Sequence, residues 1–175
     1  MNKKIIKSII GWVVYIAAIF LAIHLIITYV GQRTTVSGDS MLNTLYNNDN
    51  LIVDKISYRF SKPKRFDIIV FPHEDTHYIK RIIGLPGETV QIIEGEVYIN
   101  GEKLEESYGN APIRLENYGM AVKPLKIGEN EYFVLGDNRN ASLDSRFQDV
   151  GMIKRDEIIG KAWIRIYPFS RFGSL

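Results

Sequence analysis

The sequence predicts a mostly β, antiparallel domain carried on one N-terminal transmembrane α-helix. Three observations predict it: one unbroken apolar run near the start, a series of short alternating runs after it, and glycine-containing turn signals between those runs.

From Ile9 to Val30 the chain reads IIGWVVYIAAIFLAIHLIITYV, with no charge unless His24 is protonated. A helix needs about 20 such residues to cross the hydrocarbon core of a bilayer. The run exceeds the roughly 7–15-residue core of a secretory signal, and it continues into Tyr29-Val30-Gly31-Gln32-Arg33 without a small-x-small cleavage site, so it reads as an uncleaved anchor. It also lacks the polar face that a core helix of a globular domain would show. Lys3, Lys4 and Lys7 precede it and only Arg33 follows closely. That asymmetry keeps residues 1–8 in the cytoplasm and places residues 31–175 outside the cell membrane. His24, isolated near the outer end, is read as bland rather than as a proton relay.

Beyond the anchor, the segments 51–54, 67–71, 78–83, 89–93, 97–99, 131–135 and 162–166 are short, rich in β-branched and aromatic residues, and bounded by Gly, Pro, Asn or Asp. They read as strands. Glu94-Gly95 and Asn100-Gly101 stand between such runs as hairpin turns. No other segment holds a helical period over a dozen residues, and no repeat is visible. Residues 105–129, with Tyr108-Gly109-Asn110-Ala111-Pro112 and Pro124, form an irregular insertion.

Composition narrows the function. With 175 residues and 46% hydrophobic content, the chain fits one globular domain with something apolar attached. The absence of cysteine removes disulfides, thiolate metal sites and a cysteine nucleophile together. A net charge of +2, with cations scattered among anions, gives no footprint for nucleic acid.

Two hydrolytic sites can be built from these residues. His73-Glu74-Asp75-Thr76-His77 matches the H-E-x-x-H pattern of zinc peptidases, in which a helix sets both histidines on one face. Its context is wrong for that, because it follows Pro72 and lies between two strand-like runs, as an exposed hairpin loop would. The second site pairs Ser40, in Ser37-Gly38-Asp39-Ser40-Met41, with Lys80. A serine hydroxyl needs a base, and a lysine serves only when burial lowers its pKa so that the amine is neutral. Alternation sets Lys80 and Arg81 on opposite strand faces, so one of them points inward. Taken alone, Lys80 also fits a solvated edge lysine, and Ser40 an ordinary turn.

Three stretches in this order resemble the serine, lysine and Gly-Asp motifs of bacterial type I signal peptidases, in the Gram-positive branch. They are Ser37-Gly38-Asp39-Ser40-Met41, Tyr78-Ile79-Lys80-Arg81-Ile82-Ile83-Gly84-Leu85-Pro86-Gly87-Glu88, and Gly136-Asp137-Asn138-Arg139-Asn140-Ala141-Ser142-Leu143-Asp144-Ser145-Arg146. The resemblance implies a signal-peptidase/LexA-like β fold and a membrane-anchored serine endopeptidase without cofactor or metal. Such an enzyme removes signal peptides, after small residues, from preproteins emerging from the secretion machinery. Ser40 is then the nucleophile and Lys80 the general base, with an acyl-enzyme on Ser40. Ser142 is expected to hydrogen-bond the Lys80 amine, Asp144 and Arg146 to form a structural ion pair, and Asp137, Asn138 and Arg139 to anchor the same turn.

Two departures from the family pattern stand near the serine. Some relatives supply a second oxyanion donor from a serine hydroxyl where this chain has Gly38, which leaves the Ser40 N–H as first donor. Asn43 replaces a usual proline. Met41 is expected to form a pocket wall or part of the core. Trp163, Tyr167, Phe169 and Phe172 fit either a surface resting on membrane lipid or the β core. The protein is read as a monomer. An inactive or specialised paralogue on the same fold, and a zinc peptidase using His73, Glu74 and His77, are the alternatives.

Overall fold

The computed structural model describes residues 3–109 and 111–175, leaving aside the side chains of residues 3–6, 26 and 27. The start of the expected cytoplasmic tail, and Asn110 in the irregular insertion, therefore lie outside the described residues. Helix α1 spans Lys3–Tyr29 and so begins before the apolar run. Lysine is a good helix former, and residues added to an existing helix cost no new nucleation. Within it, Lys7–Leu25 is long and apolar enough to cross a membrane, and none of that window is buried against the rest of the protein.

The strands follow as β1 (Gly31–Thr35), β2 (Asn50–Asp54), β3 (Ile68–His73), β4 (Thr76–Gly84), β5 (Thr89–Ile93) and β6 (Glu96–Ile99). Then come β7 (Glu102–Lys103), β8 (Leu125–Lys126), β9 (Glu131–Leu135), β10 (Ile153–Lys154), β11 (Gly160–Tyr167) and β12 (Gly173–Ser174). A short helix, α2 (Ser57–Phe60), joins β2 to β3. The larger sheet has the order β1-β2-β11-β3-β4-β9-β10, with β12 on β11, and the smaller one β7-β6-β5-β8. All recorded pairings are antiparallel. The expected strands are all present, and the strand-poor 105–129 stretch contributes only β8 and two 3-10 turns.

Both turn signals act as the sequence implies. Glu94 (φ 50°) with Gly95 (φ 84°), and Asn100 (φ 53°) with Gly101 (φ 86°), carry two successive left-handed residues between β5, β6 and β7. That is the backbone a two-residue hairpin requires, because its twist matches that of the flanking strands.

Three apolar clusters hold the domain. One lies beneath the Ser40 turn and joins Val36, Met41, Leu45, Leu51, Val70 and Ile79. Another covers the opposite side of the large sheet, with Ile69, Phe71, Ile82 and Val134. The third fills the small sheet with Val90, Ile92, Val97 and Ile99, closed by Ile113, Tyr118, Ala121 and Ile127 from the irregular stretch. That stretch is therefore part of the core despite its lack of periodicity. Trp163, Tyr167, Phe169 and Phe172 are all exposed, Phe169 at 81%, so they do not complete the core.

Candidate active site

A groove of about 480 Å³ crosses one end of the large sheet, lined by residues 34–41 and 76–80 together with Ala141 and Leu143. The β4 ladder explains why it is open. Residues 76–80 pair with β3, whereas pairing with β9 starts only at Arg81, opposite Leu135. Thr76–Lys80 thus keeps one strand edge without a β partner, and Ser40 lies beside it.

Ser40 Oγ and Lys80 Nζ are 2.6 Å apart, within hydrogen-bond distance, although the residues are separated by 40 positions in sequence. Lys80 is 4% exposed and forms no ion pair among the described residues. Burial pushes its pKa down, and repulsion from Arg146 adds to this. Attraction to Asp144 and Asp137 opposes it, and the balance leaves the amine at about 8. The sequence expected one of the two adjacent cations to point inward, and the structure buries both. Arg81, also 4% exposed, is neutralised by Asp137 through Nε–Oδ1 at 2.9 Å and Nη2–Oδ2 at 2.7 Å.

The Ser40 turn is fastened from several sides. Thr44 and Leu45 N–H donate to the Met41 carbonyl, and Asn138 N–H donates to the Ser40 carbonyl at 3.0 Å. Asn138 Nδ2 donates to the Asp39 carbonyl, and Thr44 Oγ1 donates to Asp137 Oδ2. Gly136 is needed where these elements meet, since a methyl group there would overlap the Ser40 carbonyl oxygen and Ser142 Oγ. Met41 is buried in the cluster below and also lines the groove.

Asp144 and Arg146 form a fully buried pair, Nε–Oδ1 at 2.7 Å and Nη2–Oδ2 at 2.9 Å. Arg146 also donates to the carbonyls of Asn117, Arg139 and Ser142, and Asp144 accepts from Gly136 N–H. Every one of these contacts ties backbone together, which is what a structural ion pair does. The expected hydrogen bond between Ser142 and Lys80 is not made. Ser142 Oγ is buried without a hydrogen-bond partner among the described residues, packed against Gly136, while the Lys80 amine is directed at Ser40.

Gly38 has a left-handed backbone (φ 88°), and its N–H donates to Asn47 Oδ1 at 3.1 Å, so its amide is committed away from the groove. Ser40 N–H has no acceptor among the described residues. Asn43 is exposed, and the Leu42–Asn43 peptide is cis.

Sequence reasoning passed over Glu106 and Tyr108, both in the irregular stretch. Glu106 holds Arg139 in a bidentate pair at 2.5 and 2.6 Å, and Tyr108 stacks its ring 3.6 Å from the Arg81 guanidinium. A lone Glu and Tyr in an aperiodic segment carry no signal of such long-range contacts. The zinc reading is overturned by geometry. His73 and His77 sit in the β3–β4 hairpin, where His73 opposes Thr76 and His77 opposes Pro72. That register sets the two imidazoles on opposite faces, and no group of three or more metal-binding side chains exists among the described residues.

Residues 9–167 match the family described as signal peptidase, peptidase S26. The chain is 46% identical over 158 residues to signal peptidase I of Leptolyngbya laminosa, covering 85% of this chain and 74% of that protein. It is 37% identical over 176 residues to signal peptidase I S of Bacillus subtilis (strain 168), covering 97% and 94%. A crystal structure of a signal peptidase I from Enterococcus faecalis V583 is 40% identical, covers 58% of this chain and 97% of that one, and has a TM-score of 0.48.

Proposed function

The chain belongs to the signal peptidase family, peptidase S26, and within it we propose that Ser40 is the nucleophile and Lys80 the general base of a membrane-anchored serine endopeptidase that removes N-terminal signal peptides from secreted preproteins. The observation that supports the dyad best is the 2.6 Å contact between Ser40 Oγ and an otherwise unpaired, buried Lys80. A base with a pKa of about 8 is neutral in roughly one molecule in ten at pH 7, against well under one in a thousand at the ordinary lysine value.

In the neutral form the Ser40 hydroxyl donates to Nζ. Attack on the scissile carbonyl transfers that proton to Lys80, which then protonates the leaving amine. Water, deprotonated by Lys80, cleaves the ester formed on Ser40. The uncommitted Ser40 N–H meets the oxyanion. Asp144 and Arg146 act through the backbone, the ion pair holding the loop that places Ser142 beside Gly136. The preprotein lies extended in the groove, adding to the unpaired edge of Thr76–Lys80 as a strand, with small side chains next to the bond that breaks.

The three N-terminal lysines keep the tail cytoplasmic and the catalytic domain outside. The exposed Trp163, Tyr167, Phe169 and Phe172 rest on lipid headgroups, where rings with one wet and one apolar side are favoured. The enzyme is read as acting as a monomer. The test is cleavage of a small-x-small preprotein in detergent by wild type, Ser40→Ala and Lys80→Met. The reading expects activity in the first alone, and full cleavage by Lys80→Met would overturn the dyad.

A further inference from the structure

The turn that carries Ser40 is fixed at its start by the Asn138 N–H on the Ser40 carbonyl. At its far end stands Thr44, whose carbonyl accepts from Arg165 Nη1 at 2.9 Å, a residue 121 positions further along the chain. The same guanidinium donates from Nη1 to Asp49 Oδ2 at 3.1 Å and from Nε to the Arg171 carbonyl at 2.6 Å. Asp49 is fully buried, and Arg171 Nη2 reaches its other oxygen at 2.5 Å while Tyr46 N–H donates to Oδ2 at 3.0 Å. Burial raises the carboxyl pKa, yet the hydrogen bonds from Arg171, Tyr46 N–H and Arg165 hold it below the usual carboxylate range, so Asp49 stays charged. Arg171 completes the cluster by lying 4.6 Å from the Tyr46 ring.

We infer that Arg165 is a positioning residue for the nucleophile: it clamps the far end of the Ser40 turn through the Thr44 carbonyl, and Asp49 with the Arg171 carbonyl fixes the guanidinium that does so. The inference rests on the assignment of Ser40 above. Three acceptors are met by one planar group, two of them by its Nη1 and the third by its Nε. A lysine ammonium in its place keeps the charge and one or two of these contacts but not the fork. The clamp matters because Ser40 must stay within reach of Lys80 while presenting Oγ to the scissile carbon. A displacement of about 1 Å in such a group lowers turnover by about a hundredfold. Arg165 also belongs to β11, the strand that continues into exposed Tyr167, Phe169 and Phe172. The segment proposed to face lipid and the Ser40 turn are thus joined by one charge cluster, built around the buried Asp49 and reaching the surface at Arg171.

The test uses the full chain in detergent micelles, with steady-state and single-turnover cleavage of a small-x-small preprotein and thermal unfolding measured together. The variants are Arg165→Met, Arg165→Lys, Asp49→Asn and the double Arg165→Met/Asp49→Asn. Arg165→Met is expected to lower kcat and the acylation rate about tenfold to a hundredfold, with KM changed by less than about twofold. Arg165→Lys recovers part of that loss, and the double variant is no worse than the more impaired single one, as residues acting as one unit require. The alkaline rise of activity governed by Lys80 keeps its midpoint, since the base is untouched. The inference is overturned if kcat of Arg165→Met stays within about twofold of wild type. It is equally overturned if the loss follows Tm alone and Arg165→Lys recovers nothing, the pattern of a purely structural residue. A wild-type enzyme that leaves the preprotein intact overturns the peptidase reading and this inference with it.

Discussion

Lys80 and Arg81 are chain neighbours in β4, each 4% exposed, yet among the described residues only Arg81 has a carboxylate bound to its side chain. Arg81 is held by both oxygens of Asp137 and stacked on Tyr108, whereas Lys80 has the Ser40 hydroxyl as its hydrogen-bond partner and the Tyr78 ring 5.1 Å away. One cation is thereby tied to a counter-ion and the other is made easy to deprotonate. A structural strut and the proposed acid–base catalyst occupy consecutive positions, and the difference between them is one counter-ion.

Activity should rise with pH as Lys80 loses its proton, with kcat/KM climbing through a midpoint near 8. Stability follows the same group. Its folded pKa lies below the ordinary 10.5, so between about 8 and 10.5 the unfolded chain binds more protons, and stability increases with pH across that window. Below about 8 the cost of the buried ammonium is fully present. Lys80→Met is therefore expected to be inactive and more resistant to heat at pH 7, by up to about 3 kcal/mol, with the advantage shrinking towards pH 10. Thermal unfolding of both proteins at the two pH values checks this.

Asp137→Ala should be severely destabilising. It leaves the Arg81 guanidinium buried without its counter-ion and the Thr44 hydroxyl without its acceptor. Breaking one side of a buried pair costs about 3–5 kcal/mol. Denaturant unfolding gives the magnitude, and a loss below about 1 kcal/mol would show that water reaches Arg81.

Gly136→Ala should lose turnover by about a hundredfold, because the added methyl must push either the Ser40 carbonyl or Ser142 out of place. Single-turnover acylation is the measurement, and an unchanged rate would mean that the turn tolerates the shift.

Gly38→Ser tests the missing second oxyanion donor. No atom lies within 4 Å of an added Cβ, but the backbone there is left-handed, which costs an L-residue about 1–2 kcal/mol. The expected result is a lower kcat. A rise would mean that the new hydroxyl reaches the oxyanion.

Chelator should leave turnover unchanged, with zinc neither restoring nor increasing it, because His73 and His77 face opposite sides of their hairpin.

Much of this was legible in the chain because it is written locally. Alternation of Val90, Ile92, Val97 and Ile99 with polar residues marks one buried face, and the intervening Glu94-Gly95 marks the turn. The anchor is a matter of length and apolarity. The strand β1 escaped notice because Gly-Gln-Arg-Thr-Thr has no apolar face, and only its ladder with β2 makes it a strand. The two-residue strands β7, β8, β10 and β12 are too short to carry a period. At the site, Ser40 and Lys80 were found by motif. The burial of both Lys80 and Arg81, the Glu106–Arg139 pair and the isolation of Ser142 Oγ depend on packing between distant segments, for which spacing holds no information.

Helix α1 ends at Tyr29 and β1 begins at Gly31, so a single residue separates the anchor from the sheet that carries the groove. A joint this short has no slack, and it makes the enzyme a depth gauge. With the anchor seated and oriented as proposed, the ten residues after Val30 limit how far Ser40 can stand from the bilayer. Among bonds flanked by the small side chains proposed above, those presented at that height are then the ones expected to be cut. A Gly-Ser spacer placed after Val30 should therefore blur the choice of cleavage position in vesicles while leaving hydrolysis of a short soluble peptide as it was.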